Sequence, residues 1–183
     1  SDYKKAFESY TPEVTAQIIK LDSEDKAKEV LEAAKAEGAD FAKIAKDNST
    51  DTATKDKGGE VKFDSGTADI PSQVKEAAFK LDENGISDVI TVSAGQNYSA
   101  SYYIVKLNKK TEKGSDWKKY EKRLKEIIVD GRKQDTNYIR SIIAKAMTNA
   151  NIKVKDDAFK STFNQYLQNI GVQTSDSSSS SKK

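Results

Sequence analysis

Histidine and cysteine are both absent from this 183-residue sequence. Without them the chain cannot build Ser-His or Cys-His nucleophilic sites, zinc sites with imidazole or thiolate ligands, disulfides, or a thiol redox centre. General acid–base chemistry would depend on carboxylates, lysine or tyrosine, and a metal site would need oxygen ligands. Few classes of enzyme fit these limits, and we predict neither a cofactor nor a bound metal.

The sequence also has no large excess of charge of either sign and no long apolar segment. Lys and Arg number 31 and Asp and Glu 29, which gives a formal net charge of +2 with both signs interspersed. That balance provides no basic surface large enough to hold nucleic acid by its phosphates. No apolar stretch approaches the roughly 20 residues that span a bilayer. The sequence opens at Ser1 with no initiator Met or signal segment, so we expect it to be a piece of a longer protein.

The first part of the chain alternates strand and helix patterns. Residues 14–21 combine β-branched side chains with alternation, as strands do. Ser23 and Asp40 are typical N-caps for the helical spacing that follows each of them, and Pro71 suits the first turn of a third helix. A polar loop with a Gly-Gly turn follows the second helix, and further strands are predicted at 60–63, 87–92 and 98–107. The order β-α-α-β-α-β-β predicts an α+β fold.

The remainder of the chain is predicted to be helical. From Trp117 apolar residues recur at helical spacing, with a break near Gly131 and a final run from Phe159 to Ile170. These helices need a surface to cover. The patterns divide the chain into a helix end and linker (1–12), an α+β domain (13–109), a helical segment (110–170) and a Ser-rich tail expected to be disordered (171–183).

Five short strings give the sequence a family resemblance. They are DFAKIAKDNSTD (40–51), GGEVKF (58–63), IPSQVKEAAFKL (70–81), SDVIT (87–91) and YYIVKL (102–107). Each string is weak alone, but their order resembles the parvulin-type peptidyl-prolyl isomerases, specifically the module found in extracytoplasmic foldases of Gram-positive bacteria. The resemblance implies a parvulin-like (FKBP-like) antiparallel sheet flanked by helices. It also implies that residues 110–170 are the C-terminal part of a chaperone-type helical domain whose N-terminal part is mostly missing here. Because these helices would then lack packing partners, we predict that they expose an apolar face that promotes self-association.

The resemblance implies three positions beside the reacting bond. The family's site has two histidines on adjacent central strands, with a cysteine or aspartate next to them. Matching the strings places Tyr103 at the second histidine, Asp51 at the cysteine or aspartate, and Thr91 at a threonine often found near the site. Local alternatives stay open, because Asp51 would also suit a turn hydrogen bond and Tyr103 is an ordinary strand aromatic.

Three further positions are implied to line the proline pocket. Ile18 takes the place of the first histidine, and Val74 takes that of a phenylalanine. Ala68, or Asp69 one residue on, takes that of a methionine. With these replacements the pocket is expected to be shallower and less aromatic than in members that keep the histidines.

Isomerisation of an Xaa-Pro bond suits a chain without histidine. The barrier to rotation is about 18–20 kcal/mol, and crossing it needs no nucleophile and no cofactor. A site accelerates the rotation by holding the proline ring in an apolar pocket and by favouring the twisted amide over the planar one. Shape and a few polar groups are sufficient in principle.

Two hypotheses about function follow from the resemblance. The first is an extracytoplasmic foldase that helps exported polypeptides fold after translocation and isomerises their Xaa-Pro segments. The second is a non-catalytic chaperone, or holdase, that uses a degenerate parvulin fold as a scaffold and the helical segment as a client surface. In both, the partners are unfolded or partly folded exported polypeptides. The family also implies attachment to the cell membrane through a lipid on an N-terminal Cys that this sequence does not contain.

Overall fold

A four-stranded antiparallel sheet organises the first part of the chain. In the computed structural model, which describes residues 2–93, 100–150 and 157–169, its strands are β1 Val14–Leu21, β2 Glu60–Phe63, β3 Ile90–Val92 and β4 Ser101–Lys110. The strand order is β2-β1-β4-β3. The long strands β1 and β4 are therefore the central pair, with Ile18 opposite Val105 and Lys20 opposite Tyr103.

Four helices accompany the strands along the chain: α1 Asp2–Ser9, α2 Glu24–Lys35, α3 Phe41–Asn48 and α4 Ser72–Lys80. The elements from β1 to β4 follow one another in the predicted order. The α+β class and the antiparallel sheet flanked by helices are thereby confirmed.

The helix ends confirm two predicted caps and correct two other predictions. Ser23 Oγ accepts a hydrogen bond from a backbone N–H of α2 at 3.4 Å, and Asp40 Oδ1 accepts one from α3 at 3.1 Å. Helix α2 ends at Lys35, earlier than predicted, and Gly38 lies in the following turn with a φ of +74°. Pro71 is the N-cap of α4, one residue outside the helix.

The sheet carries a core on each face. The first core lies against α4 and combines Ile18 and Val105 with Phe63 of β2 and with Val74 and Ala78 of α4. We call this the α4 face. The second core lies on the opposite face, where Ile19 and Ile104 pack with α2 and α3. Because successive side chains of a strand point to opposite faces, neighbouring residues of β1 and β4 belong to different cores.

Two of the predicted strands have different bounds in the structure. The strand predicted at 87–92 is confined to Ile90–Val92. Ser87 is buried and pairs with Val105 in two ways: its N–H donates to the Val105 carbonyl at 2.8 Å, and its Oγ accepts from the Val105 N–H at 3.0 Å. The strand predicted at 98–107 runs from Ser101 to Lys110 in the structure. Residues 98 and 99 lie outside the described residues.

The Gly-Gly turn lies directly against β1. Gly58 and Gly59 have φ angles of +68° and +78°, as predicted for a tight turn. The Gly59 carbonyl accepts a hydrogen bond from the N–H of Ile18 at 2.9 Å. A Cβ at Gly59 would lie 2.4 Å from the Ile18 carbonyl oxygen, so the close approach requires glycine.

The second unit of the chain starts at Tyr120, and the residues described in it are mostly helical. Its helices are α5 Glu121–Gln134, α6 Thr136–Asn149 and α7 Asp157–Asn169. The predicted break between the two helical runs is observed, but it lies after Gln134 and not at Gly131, because this glycine is inside α5, where a helix tolerates it at a cost of about 1 kcal/mol. The helix ends instead at Asp135, whose carboxylate accepts from the N–H groups of Asn137 and Tyr138 and so starts α6. Residues 170–183, including the predicted disordered tail, lie outside the described residues.

An apolar face is exposed on α6. Tyr138, Ile139, Ile142 and Ile143 are between 37% and 47% exposed, and their spacing is that of one helix face. With Val129 of α5 they line a groove of about 350 Å³. The predicted exposure of apolar side chains on the helical segment is observed here, while the predicted self-association stays a prediction. None of the helices in the described ranges has the length and hydropathy that a membrane span requires.

Candidate functional site

Tyr103 is a partly buried polar side chain on the α4 face. It lies in β4 between Lys20 of β1 and Ile90 of β3, and it packs against the α4-face core. Burial raises the pKa of the phenol above its ordinary value of 10.0, and the negative charges of Asp51 and Asp22 raise it further. The phenol is therefore neutral at physiological pH and can donate a hydrogen bond to a ligand.

Ile18 and Val74 lie beneath this surface. Both belong to the α4-face core with Tyr103, but Ile18 is 3% exposed and Val74 is fully buried. They can therefore shape the floor of a site without touching a ligand. The structure brings together these two predicted pocket residues and Tyr103, and it places only Tyr103 near the surface.

The partly exposed apolar residues around Tyr103 were not identified from the sequence. Ile90 and Val92 of β3 pack against the α4-face core, as does Ile70 in the loop before α4. The β3 pair could have been found from alternation, since residues 90 and 92 share a face with Tyr103 once the β3–β4 register is known. These side chains form an apolar surface on which a proline ring could rest.

Asp51 combines a local and a longer-range role. Its Oδ1 accepts from the N–H of Ala53 at 3.2 Å, and its Oδ2 accepts from the hydroxyl of Thr54 at 2.5 Å. The alternative of a turn hydrogen bond is therefore observed. The carboxylate is only half-buried, and its charge also acts on the phenol of Tyr103. Asp51 thus stabilises its loop and, after burial, contributes to the raised pKa of Tyr103.

The loop that carries Asp51 is hydrogen-bonded to the end of β1. The buried Ser49 accepts two hydrogen bonds at its Oγ, from the N–H of Lys20 at 3.1 Å and from that of Asp51 at 3.2 Å. Thr50 donates its N–H to the Lys20 carbonyl at 2.8 Å and its hydroxyl to Asp22 Oδ1 at 3.3 Å. These bonds explain why Asp51 and Asp22 both influence Tyr103. Ser49 was not identified from the sequence, although its position directly after a predicted helix could have indicated it.

Thr91 and Ala68 do not join this group. Thr91 is exposed and pairs with Tyr102, so it lies on the opposite face of the sheet from Tyr103. Ala68 is exposed in the loop between β2 and α4, and Ile70, two residues later, packs against the core in that region. The roles assigned to Thr91 and Ala68 stay predictions.

The chemistry available at the α4 face is hydrogen bonding and electrostatics. Tyr103 provides a neutral donor, Asp51 and Asp22 provide negative charge, and Lys20 provides a positive charge on the same side of the sheet. Within the described ranges, no group of three or more Asp and Glu side chains is arranged to hold a metal ion. The arrangement suits binding and bond rotation, which need neither a nucleophile nor a metal.

Comparison with known proteins identifies the class to which this fold and surface belong. The family model described as "Rotamase: PPIC-type PPIASE domain" matches residues 10–109. The chain belongs to this family, the parvulin-type peptidyl-prolyl isomerases, as the resemblance implied.

The particular proteins that the chain resembles are foldases. It is 65% identical over 170 residues to "Foldase protein PrsA" of Streptococcus sanguinis, a match that covers 93% of this chain and 50% of that protein. The crystal structure of the foldase protein PrsA from Streptococcus pneumoniae is similar with a TM-score of 0.84 at 58% identity, covering 90% of this chain and 60% of that one. A peptidylprolyl isomerase, PrsA, from Bacillus anthracis has a TM-score of 0.59 at 28% identity, covering 84% and 66%. The chain spans about half the length of the curated relatives it matches.

Proposed function

We propose that this chain is part of an extracytoplasmic foldase that binds unfolded exported polypeptides and isomerises their Xaa-Pro bonds at the α4 face. The observation that carries the proposal is the position of Tyr103. It presents a neutral phenol on an apolar surface, above the buried Ile18 and Val74 and beside the charge of Asp51. Family membership and the names of the foldases it resembles support the same function.

The proposed site would lower the rotational barrier in two ways. The apolar surface of Ile70, Ile90 and Val92 excludes water from the amide, and the twisted amide is less dipolar than the planar one and loses less solvation there. The twisted form also has a pyramidal nitrogen that can accept a hydrogen bond, and the phenol of Tyr103 can donate it. Both effects act on the twisted amide more than on the planar ground state.

The charge of Asp51 adds a third contribution. In the planar amide the carbonyl oxygen carries partial negative charge, and it loses part of that charge when the bond twists. A carboxylate on the same side of the site disfavours the planar form more than the twisted one, which lowers the barrier between them. The turn hydrogen bonds from Ala53 and Thr54 hold the carboxylate in place without neutralising it.

Exchange spectroscopy by NMR on short Xaa-Pro peptides tests the isomerase function. The intact chain is expected to accelerate cis/trans exchange, and Asp51→Asn is expected to lower kcat/KM by about tenfold, because it removes the charge and keeps the shape. Asp56→Asn is the matched control, since Asp56 is an exposed carboxylate in the same loop. Exchange no faster than in buffer would overturn the isomerase function.

The exposed face of α6 supports the second function, client binding without catalysis. The apolar groove lined by Val129, Tyr138, Ile139, Ile142 and Ile143 is flanked by Arg132 and Lys133. Such an apolar surface with a cationic rim suits apolar segments of unfolded chains that also carry acidic residues. The membrane attachment through a lipid, implied by the resemblance, belongs to the full-length protein in this proposal.

Suppression of client aggregation separates the two functions. The intact chain is expected to delay light scattering by a chemically unfolded protein, and Asp51→Asn is expected to leave that delay unchanged. Ile142→Glu should abolish most of it by placing a charge in the groove, whereas Asn137→Glu, which adds the same charge at an exposed position of α6, should not. Equal loss in both glutamate variants would contradict a client site at the groove.

A further inference from the structure

A buried carboxylate lies in the loop that connects β2 to α4. Asp64 is 7% exposed, and its Oδ2 accepts a hydrogen bond at 3.1 Å from the hydroxyl of Tyr10, which is 6% exposed. Its Oδ1 accepts from the Gly66 N–H at 2.9 Å and from the Thr67 hydroxyl at 3.1 Å. A buried carboxylate is costly unless such donors surround it, and it is retained where it specifies one conformation. Here it specifies the conformation of residues 64–70, which we call the rim loop.

The rim loop is also held from outside by two elements. The linker before β1 pairs with it: the Thr11 N–H donates to Ser65 Oγ at 2.9 Å, and the Ser65 N–H donates to the Thr11 carbonyl at 3.1 Å. From α4, Lys75 Nζ donates to the Ser65 carbonyl at 3.0 Å and to the Thr67 carbonyl at 2.6 Å. The rim loop is thus hydrogen-bonded to both the linker and α4, and Asp64 adds a further bond to the linker through Tyr10.

The rim loop leads directly into the proposed site. Its last residue, Ile70, packs against the α4-face core that also holds Tyr103, and the next residue, Pro71, caps α4. Helix α4 contributes Val74 to the floor of the site. A shift of the loop therefore moves both an apolar contact surface and the start of the helix beneath it. Displacements of about 1 Å in positioning elements can cost about 100-fold in rate.

We propose that Asp64 is a positioning residue for the proline site, which holds the rim loop, and through it Ile70, in place by linking Tyr10 to Gly66 and Thr67 of the loop. This inference rests on the proposed function at the α4 face. It adds that the linker between α1 and β1 takes part in shaping the site, because Tyr10 and Thr11 belong to that linker. None of these residues touches the substrate.

Tyr10→Phe is the most selective test, since it removes one hydroxyl and keeps the buried ring. At a temperature where every variant is fully folded, Tyr10→Phe and Lys75→Met are each expected to lower kcat/KM for an Xaa-Pro peptide by about tenfold. Asp64→Ala should lower kcat/KM further than either of these variants. Asp64→Asn should recover part of the loss, because its side-chain oxygen can still accept from Gly66 and Thr67. The methyl NMR signals of Ile70 should shift in each variant that loses activity.

Two control variants and one further readout make the test decisive. Tyr102→Phe removes a tyrosine hydroxyl on the opposite face of the sheet, and Lys80→Met removes an exposed lysine of α4. The kcat/KM of both variants should stay within twofold of that of the parent chain. A lower melting temperature with unchanged kcat/KM in the folded Tyr10→Phe and Lys75→Met variants would show that these hydrogen bonds stabilise the fold without positioning the site. That result would overturn the proposal.

A failure of the proposed function would be distinguishable from a failure of this inference. If the parent chain does not accelerate exchange, the isomerase function fails, and the dissociation constant of the same peptide becomes the readout. Weaker peptide binding in Tyr10→Phe, with the Ile70 signals shifted, would then support the positioning role. Unchanged binding would overturn it.

Discussion

Gly59 and Ile18 approach each other more closely than any side chain would permit. The Ile18 N–H donates to the Gly59 carbonyl at 2.9 Å, and a Cβ on Gly59 would lie 2.4 Å from the Ile18 carbonyl oxygen. This contact joins the loop that carries Asp51 to the strand that forms the floor of the proposed site. The loop and the floor are therefore fixed relative to each other by backbone atoms.

Replacing Gly59 by alanine is expected to destabilise the protein strongly. The substitution combines left-handed strain at a φ of +78° with a clash against backbone that cannot move freely, and we expect a loss of about 3 kcal/mol in the free energy of unfolding. Gly38→Ala is the matched control, because Gly38 has a φ of +74° with nothing within 4 Å of a Cβ. For Gly38→Ala, urea unfolding should show a loss of about 1 kcal/mol in the free energy of unfolding. Equal losses in the two variants would contradict the close approach.

Ser49→Ala should loosen the loop that carries Asp51. The variant removes an acceptor for the N–H groups of Lys20 and Asp51, and unsatisfied buried donors cost about 1–3 kcal/mol. We expect a lower free energy of unfolding and faster amide hydrogen exchange at both residues. Ser72→Ala, at the exposed start of α4, is the control and should leave exchange at Lys20 and Asp51 unchanged.

Val74→Phe tests the position of this side chain beneath the surface. Phenylalanine at this position would match the family's pocket, but Val74 is fully buried in a packed core. We therefore expect overpacking, with a loss of about 1–3 kcal/mol in the free energy of unfolding and no gain in the isomerisation rate. Thermal unfolding and exchange spectroscopy on the same sample measure both. A stable variant with faster exchange would show that the position is accessible to substrate.

The raised pKa of Tyr103 predicts a pH dependence at the alkaline end. Burial, and then the charges of Asp51 and Asp22, favour the neutral phenol in the folded protein. The folded state therefore holds this proton more tightly than the unfolded state does. The resulting stabilisation is fully present below the unfolded pKa and is lost as the pH rises through the folded pKa.

Absorbance titration of tyrosinate measures this effect directly. The difference between the parent chain and Tyr103→Phe isolates one phenol, and its midpoint should lie above 10.0. Asp51→Asn should move the midpoint down toward the ordinary value. A midpoint at or below 10.0 in the parent chain would contradict the environment described for Tyr103.

The element order, and the packing of Ile18, Val74 and Tyr103 in one core, could be predicted from the sequence. Alternation in β1 and β4 places Ile18 and Tyr103 on a shared face once the strands are paired, and helical spacing places Val74 on the inner side of α4. The resemblance supplied the pairing that the alternation alone does not specify. The family, the fold class and the caps at Ser23 and Asp40 were all predictable in this way.

The remaining features depend on register and on contacts between distant segments. The contribution of Ile90 and Val92 depends on where β3 starts, and before that strand the Val105 N–H bonds the Oγ of Ser87 rather than a backbone carbonyl. Asp64 and Tyr10 are 54 residues apart, and no local pattern indicates that they meet. The helix through Gly131 shows the opposite case, in which a local signal for a break was overridden by the residues around it.

The most direct test of the central claim compares Tyr103→Phe with Tyr102→Phe in the exchange measurement on an Xaa-Pro peptide. The two variants remove the same hydroxyl from neighbouring residues on opposite faces of the sheet. If the phenol of Tyr103 assists the rotation, Tyr103→Phe lowers kcat/KM by about tenfold. The kcat/KM of Tyr102→Phe then stays within twofold of that of the parent chain. Unchanged catalysis in Tyr103→Phe, or an equal loss in both variants, would contradict a proline site on the α4 face.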